Sequence, residues 1–383
     1  MLNGPFSPWP KFSEEEMDAV KNVLMSNKVN YWTGNQGKKF EAEFADYVGT
    51  KYSIALSNGT VALDLALNAL SLVSGDEVIV ASRTYIASVS SIVIAGANPV
   101  FADIDPNSQN ITAETIALSI TPRTKAIVCV HLAGWPCEMD KIMALAKRQS
   151  LVVIEDCAQA HGAAYSGQSV GSFGHIACWS FCQDKIMTTG GEGGMVTTNE
   201  YELWQKMWSF KDHGKSWNAV YKEQHPPGFK WLSTSFGTNF RMTEMQAAIG
   251  RIQLKKIKDW HKKRINNAKM IWGAAKKNPK MRVPEIPDSI EHGAYKAYVF
   301  IKGTVLQRDM LVQKINDHGV PCFSGSCSEV YLEKAFENTN FRPKHRLPVA
   351  KRLGETSLMF LCHPTLMKKE IELTCDILEK IKY

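Results

Sequence analysis

Seven short apolar runs, each closed by a turn and alternating with helical patterns, constrain this chain more than any other feature. They cover residues 53–57, 77–81, 99–104, 126–131, 151–155, 176–181 and 195–198. A strand that is apolar on both faces has to be covered on both sides, and helices flanking a mostly parallel sheet do this. The intervening stretches 60–72 and 139–148 read as such helices. The fold class expected is therefore α/β, with a large domain built on a mostly parallel seven-stranded sheet.

After about residue 243 the texture changes. A long basic helical segment leads to a stretch punctuated by Pro279, Pro284 and Pro287, and then to a fresh strand signal at 298–301. This divides the chain into a large domain, 1–255, and a smaller C-terminal α/β domain, 256–383. The net charge of +7 is concentrated at that junction: between Arg251 and Lys280 there are eleven Lys or Arg and one acid, Asp259. Leu254, Ile257, Ile265, Ala268 and Trp272 recur at helical spacing there, with His261 on the same stripe, so the cations read as the solvated face of an amphipathic helix. Nucleic acid is not expected as a partner, because no aromatic or glycine interleaving accompanies the charge.

The uncharged stretch 84–102 is long enough for a membrane span, but Ser88, Ser90, Ser91, Gly96, Asn98 and Pro99 make it too polar; a helix followed by a strand fits better. The opening Met1-Leu2-Asn3-Gly4-Pro5-Phe6 lacks the pattern of a signal peptide. Nine cysteines, several inside apolar runs, read as buried thiols of a reducing compartment, which points to the cytoplasm. Neither of the closest pairs, Cys178/Cys182 and Cys322/Cys327, has zinc-site spacing, so no metal is expected.

In an open α/β sheet, ligands bind beyond the carboxyl ends of the strands. Three such ends carry informative residues. Ser57-Asn58-Gly59-Thr60-Val61-Ala62-Leu63 is a strand end, a tight turn and a helix start, where backbone N–H groups and a Thr hydroxyl suit a phosphate or merely cap the helix. Val152-Val153-Ile154-Glu155-Asp156-Cys157-Ala158-Gln159-Ala160-His161-Gly162 places an acid at the mouth of a buried strand, to orient a base, hold a metal, pair with a cationic ring or cap a helix. Ser180-Phe181-Cys182-Gln183-Asp184-Lys185 places a lysine before the glycine-dense turn Gly190-Gly191-Glu192-Gly193-Gly194. An amine crowded there is a nucleophile toward carbonyls when neutral; alternatively it is a surface lysine. A phosphate site, an acid for a ring nitrogen and a reactive amine are together the parts of a pyridoxal phosphate enzyme. A P-loop does not fit, because GxxxxGK[ST] does not occur and Lys185 precedes the glycines.

The chain resembles the DegT/DnrJ/EryC1/StrS sugar aminotransferases of aminotransferase fold type I. The resemblance runs from about Tyr31 to about Gln246 and continues more weakly beyond. It is carried by the three stretches above together with Gly75-Asp76-Glu77-Val78-Ile79-Val80 and Thr238-Asn239-Phe240-Arg241-Met242. It implies that Lys185 bonds the cofactor, pyridoxal 5'-phosphate, and moves the proton between cofactor and substrate carbons. It further implies that Asp156 pairs with the ring nitrogen, Gln159 with the ring hydroxyl, and that Tyr85 stacks on the ring, while Gly59, Thr60 and Ser180 hold the phosphate. Asn239 matches a residue that completes the partner subunit's phosphate site in this family, which implies a homodimer with shared active sites. A branch of the family has His in place of the lysine and removes a hydroxyl; with Lys185 present, transamination is implied instead.

Two stretches depart from the family pattern: an extra glycine at Gly190-Gly191, and Cys322-Phe323-Ser324-Gly325-Ser326-Cys327-Ser328 where many members carry His-Tyr-x-Pro-Leu-His. His161, Glu192, Arg241 and Ser324 are the candidate substrate contacts. The function expected is transfer of the amino group of L-glutamate to a keto-sugar, a nucleotide-linked 4-keto-6-deoxy hexose, in amino-sugar biosynthesis for a surface polysaccharide such as the lipopolysaccharide O-antigen. The alternatives are a non-nucleotide keto-sugar or cyclic ketone as acceptor, and a non-catalytic regulator that keeps the cofactor pocket.

Overall fold

The seven apolar runs all become strands of one sheet in the computed structural model, which describes residues 4–382. Residues 1–3, part of the N-terminal stretch considered above, and residue 383 lie outside the described residues. The strands are β1 (Tyr52–Leu56), β2 (Glu77–Ala81), β3 (Asn98–Ala102), β4 (Thr124–Val130), β5 (Val152–Asp156), β6 (Ile176–Ser180) and β7 (Gly194–Thr198). Their spatial order is β1-β7-β6-β5-β4-β2-β3, parallel from β6 to β3, with β7 antiparallel to both of its neighbours. Val78, Ile79 and Val80, like Ile127, Val128, Val153 and Ile154, are fully buried, as strands covered on both faces require.

The stretch 84–102 contains the helix Ala87–Ile94 and strand β3, and no helix among the described residues is long and apolar enough to cross a membrane. C-terminal to the sheet, the helix Glu244–Lys277 begins with a capping box between Thr243 and Gln246, seven residues before the basic segment starts. Residue 256, where the sequence divides most naturally, lies inside this helix. A second, four-stranded antiparallel sheet follows, centred on Ala297–Ile301 and Ser357–Phe360. The N-terminal segment returns to this region: Phe6 packs on its core, and the Ser7 backbone N–H donates to Glu370 Oε1 at 2.7 Å.

The long helix does not present all of its cations to solvent. Arg264 is 1% exposed, Arg251 makes a bidentate pair with Glu43, and Lys256 pairs with Glu15 and Glu16. The two N-terminal helices, Glu14–Met25 and Gln36–Val48, pack along it and carry those acids. A stripe reading of one helix cannot foresee what another helix lays across it.

Under the sheet's carboxyl edge, Glu155 is a buried node. Its Oε2 accepts from His131 Nε2 at 3.0 Å and from the Gly171 N–H at 2.8 Å; its Oε1 accepts from the N–H groups of Phe173 and Gly174 at 2.9 and 2.7 Å. His131 Nδ1 accepts from the Cys137 N–H, which places the ring proton on Nε2. Cys157 lies close enough to join His131 and Glu155 as a ligand set. Burial, however, raises its thiol pKa well above the usual value, and every facing lone pair of Glu155 and His131 is engaged in a hydrogen bond. Glu155→Ala should lower stability by about 3–5 kcal/mol, because four donors, two of them in fully buried bonds, lose their acceptor. Urea unfolding monitored by fluorescence checks this, and an unchanged midpoint would mean the node carries no stability.

Candidate active site

β5 ends on Asp156, and strand alternation turns its carboxylate away from the Glu155 node. Oδ2 accepts from the Ser88 hydroxyl at 2.7 Å, and Oδ1 accepts from the Ala158 N–H at 3.1 Å. No cation among the described residues pairs with it, although it is buried. Such a carboxylate calls for a positively charged partner from outside the chain.

Asp156 lines a cavity of about 600 Å3 together with Gly59, Thr60, Tyr85, Gln159, Ser180, Lys185 and Glu192. Eight sequence-singled residues, drawn from the ends of several strands, therefore meet around one space. The helix Gly59–Asn68 starts at its rim, and the Asn58 side chain caps the Val61 N–H at 3.0 Å, leaving the first backbone donors of the helix facing an open position. A Cβ at Gly59 would lie 2.6 Å from Ser180 Cβ, so only glycine lets this turn sit against the Ser180 hydroxyl. Phosphate cradle, unpartnered carboxylate and amine thus fit pyridoxal phosphate.

Lys185 sits in a turn after β6, where its N–H bonds the Cys182 carbonyl and its own carbonyl accepts from Trp9 Nε1 at 2.8 Å. Its Nζ lies 5.2 Å from the centroid of the Tyr295 ring. Gln159 Oε1 accepts from the Ala133 N–H, and its amide donates to Cys327 Sγ at 3.5 Å. Tyr85 is 64% exposed at the rim. The extra glycine of the lysine loop is absorbed locally: Gly190 and Gly191 both take positive φ, +94° and +126°, in a turn that leaves Glu192 on the cavity wall.

The other candidates are not brought to this cavity. His161 is fully buried, its ring 5.2 Å from Trp179 and 5.6 Å from Phe181. Burial, with Lys185 and Arg264 nearby, pulls its pKa to about 3, so it is neutral. Arg241 donates to Asp212 Oδ1 at 2.7 Å. Asn239 is exposed and bridges to Asp212. Ser324 is exposed and accepts, through its carbonyl, from the Ser357 hydroxyl, while Ser326 reaches the cavity instead.

Sequence reasoning missed Ser88, Asp184, Tyr295 and Ser326, all on the cavity wall. Asp184 adjoins Lys185 and could have been noticed for that. Ser88 reads in the sequence only as polarity in a helix, nothing local marks Tyr295, and Ser326 lies in the stretch that departs from the family pattern, two residues beyond the candidate Ser324.

Comparison with known proteins agrees with this geometry. The model of the DegT/DnrJ/EryC1/StrS aminotransferase family matches residues 10–379. GDP-perosamine synthase of Escherichia coli O157:H7 is 37% identical over 372 residues, covering 96% of this chain and 95% of that protein. The UDP-N-acetyl-3-dehydro-alpha-D-glucosamine 3-aminotransferase of Acidithiobacillus ferrooxidans is 33% identical over 380 residues, 99% of this chain and 96% of that protein. Among solved structures, an aminotransferase from Psychrobacter cryohalolentis superposes with a TM-score of 0.95 at 59% identity, covering 98% of each chain. With Lys185, Asp156 and the N-terminus of the helix Gly59–Asn68 converging on one cavity, this chain belongs to the DegT/DnrJ/EryC1/StrS family and is a pyridoxal phosphate-dependent sugar aminotransferase.

Proposed function

We propose that the chain transfers the amino group of L-glutamate to a keto-sugar carried on a nucleoside diphosphate, a 4-keto-6-deoxy hexose, in cytoplasmic amino-sugar biosynthesis. The observation that carries the reading is the convergence of Lys185, Asp156 and the N-terminus of the helix Gly59–Asn68 on one cavity. Relatives named for GDP-, UDP- and dTDP-linked amino sugars, aligned over 96–99% of this chain, support the acceptor class.

Bound pyridoxal phosphate supplies a carbonyl that can take up an amino group and an electron-withdrawing ring. Around it the chain's own groups have separate tasks. Gly59 and Thr60 would offer backbone donors, and Ser180 a hydroxyl, to the phosphate. Asp156, held by Ser88 and the Ala158 N–H, would keep a proton on the ring nitrogen. The Tyr85 ring would cover one face. The Lys185 amine would move the proton between substrate carbon and cofactor carbon, in one direction with the amino donor and in the other with the keto acceptor.

The reading includes a homodimer with shared sites. Asn239 does not line its own chain's cavity, and the segment before it exposes Phe229, Trp231 and Phe236 at 78%, 82% and 100%. Aromatic rings this bare are what a second copy of the chain would cover.

Addition of L-glutamate to the holoenzyme should bleach the visible absorbance of the bound cofactor, and a diphosphonucleoside-linked ketone should restore it where the free keto-sugar does not. Restoration by the free sugar alone would overturn the nucleotide part of the reading. Lys185→Arg should lower turnover at least 10²-fold, measured by 2-oxoglutarate formation; full turnover would remove Lys185 from its role. Gly59→Ala, whose Cβ would push the turn away from Ser180, should weaken cofactor binding about tenfold or more, read from an absorbance titration of the apoprotein.

A further inference from the structure

Lys185 is not the only lysine beside the cavity. Lys296 is buried, 7% exposed, and its Nζ lies 3.9 Å from Asp184 Oδ2, an ion-pair distance without a hydrogen bond. The same Oδ2 accepts from the Tyr295 hydroxyl at 2.5 Å. The Tyr295 ring centroid is 4.7 Å from Lys296 Nζ and 5.2 Å from Lys185 Nζ. The Tyr295 ring therefore faces both amines, its hydroxyl bonds the carboxylate that faces Lys296, and that carboxylate is the chain neighbour of Lys185.

We propose that Lys296, acting through Asp184 and Tyr295, is a positioning residue that keeps the amine of Lys185 from being locked in an ion pair. This rests on Lys185 being the cofactor lysine. The argument is one of local charge. Facing Lys296 are Arg264 from the long helix, Cys362 and His363 after the strand Ser357–Phe360, Asp184 and Lys185 from the lysine loop, and Tyr295 beside it. His161 faces Lys185 and Arg264 from the turn after β5. Burial, reinforced by the neighbouring cations, depresses both histidines to about 3, and burial raises the Cys362 thiol to about 11, so these three are neutral. Asp184 is the anion shared by Lys296 and its chain neighbour Lys185, with Asp156 and Glu192 on the wall of the same cavity, and Lys296 and Arg264 are the cations on this side of it.

Burial works against the Asp184 carboxylate, yet Lys185, Lys296 and the Tyr295 hydroxyl together hold its pKa below the usual value. Were Lys296 uncharged, the Lys185 ammonium would have Asp184 with less competition, and an ammonium neither attacks a carbonyl nor accepts a proton. Burial, aided by Arg264 and Lys185 and opposed by Asp184, brings Lys296 to about 8, so its charge is the one that disappears as pH rises through that value. Lys296 is protonated below about 8 and restrains Asp184 there; above it the restraint fades.

The test is a spectrophotometric pH titration of the bound cofactor's visible band in the wild-type holoenzyme and in Lys296→Met, Lys296→Arg, Asp184→Asn and the Asp184→Asn/Lys296→Met double variant. Removing the cation should move the midpoint up by about one unit in Lys296→Met, the order of shift a single nearby charge produces. Lys296→Arg should titrate as wild type below about pH 8 and, because it keeps its charge, should not lose the restraint above it. Asp184→Asn should move the midpoint down, and in that background Lys296→Met should produce less than half the displacement it produces alone. A wild-type midpoint in Lys296→Met, or equal displacement in both backgrounds, overturns the proposal. If Lys296→Met does not fold, Asp184→Asn decides by itself: an unmoved midpoint overturns it. Lys185→Ala separates the two readings, since a titrating visible band that survives there sinks the role of Lys185 itself, whatever Lys296 does.

Discussion

Two adjacent carboxylates on β5 with opposite partners organise this molecule. Glu155 draws four N–H donors from two separate segments under the sheet, and Asp156, turned the other way by the strand's two-residue period, is left to the cavity with a hydroxyl and one backbone N–H. The first interaction is fully satisfied and anchors the strand end. The second lacks a countercharge, and a buried anion in that state persists only if something outside the chain completes it. The division of labour between structure and chemistry is set by one peptide unit.

The site is assembled across the chain as well as along the sheet. Trp9, from the N-terminal segment, holds the Lys185 carbonyl, and its indole stacks edge-on against Trp260 with the Arg264 guanidinium 4.8 Å from its ring. Tyr295 and Ser326 reach the cavity from the C-terminal region. Lys185 is thereby fixed by backbone hydrogen bonds while its amine remains among charges that its neighbours can tune.

Much of this was legible in the sequence. All seven strands were, because a strand covered on both faces writes its burial into consecutive residues, as in Val78-Ile79-Val80 and Val153-Ile154. Gly59, Asp156 and Lys185 were legible too, since each follows such a strand at its carboxyl end. His161 looked equally well placed, five residues after Asp156, but the turn at Gly162 packs its ring against Trp179 and Phe181. Arg264 was read as solvated because its helix carries many cations, whereas the space it fills belongs to Trp9 and Tyr295, hundreds of positions and dozens of positions away respectively.

The sequence by itself determined the order of elements, the sheet and the residue types at the mouths of its strands, because these depend on local periodicity and on turns a few residues long. Only the tertiary structure decided which of those residues share a cavity, which cations are buried, and that Lys296 stands beside Asp184 at 3.9 Å. Contacts between segments this far apart depend on how packed layers exclude water from one another, and no window of neighbouring residues contains that information.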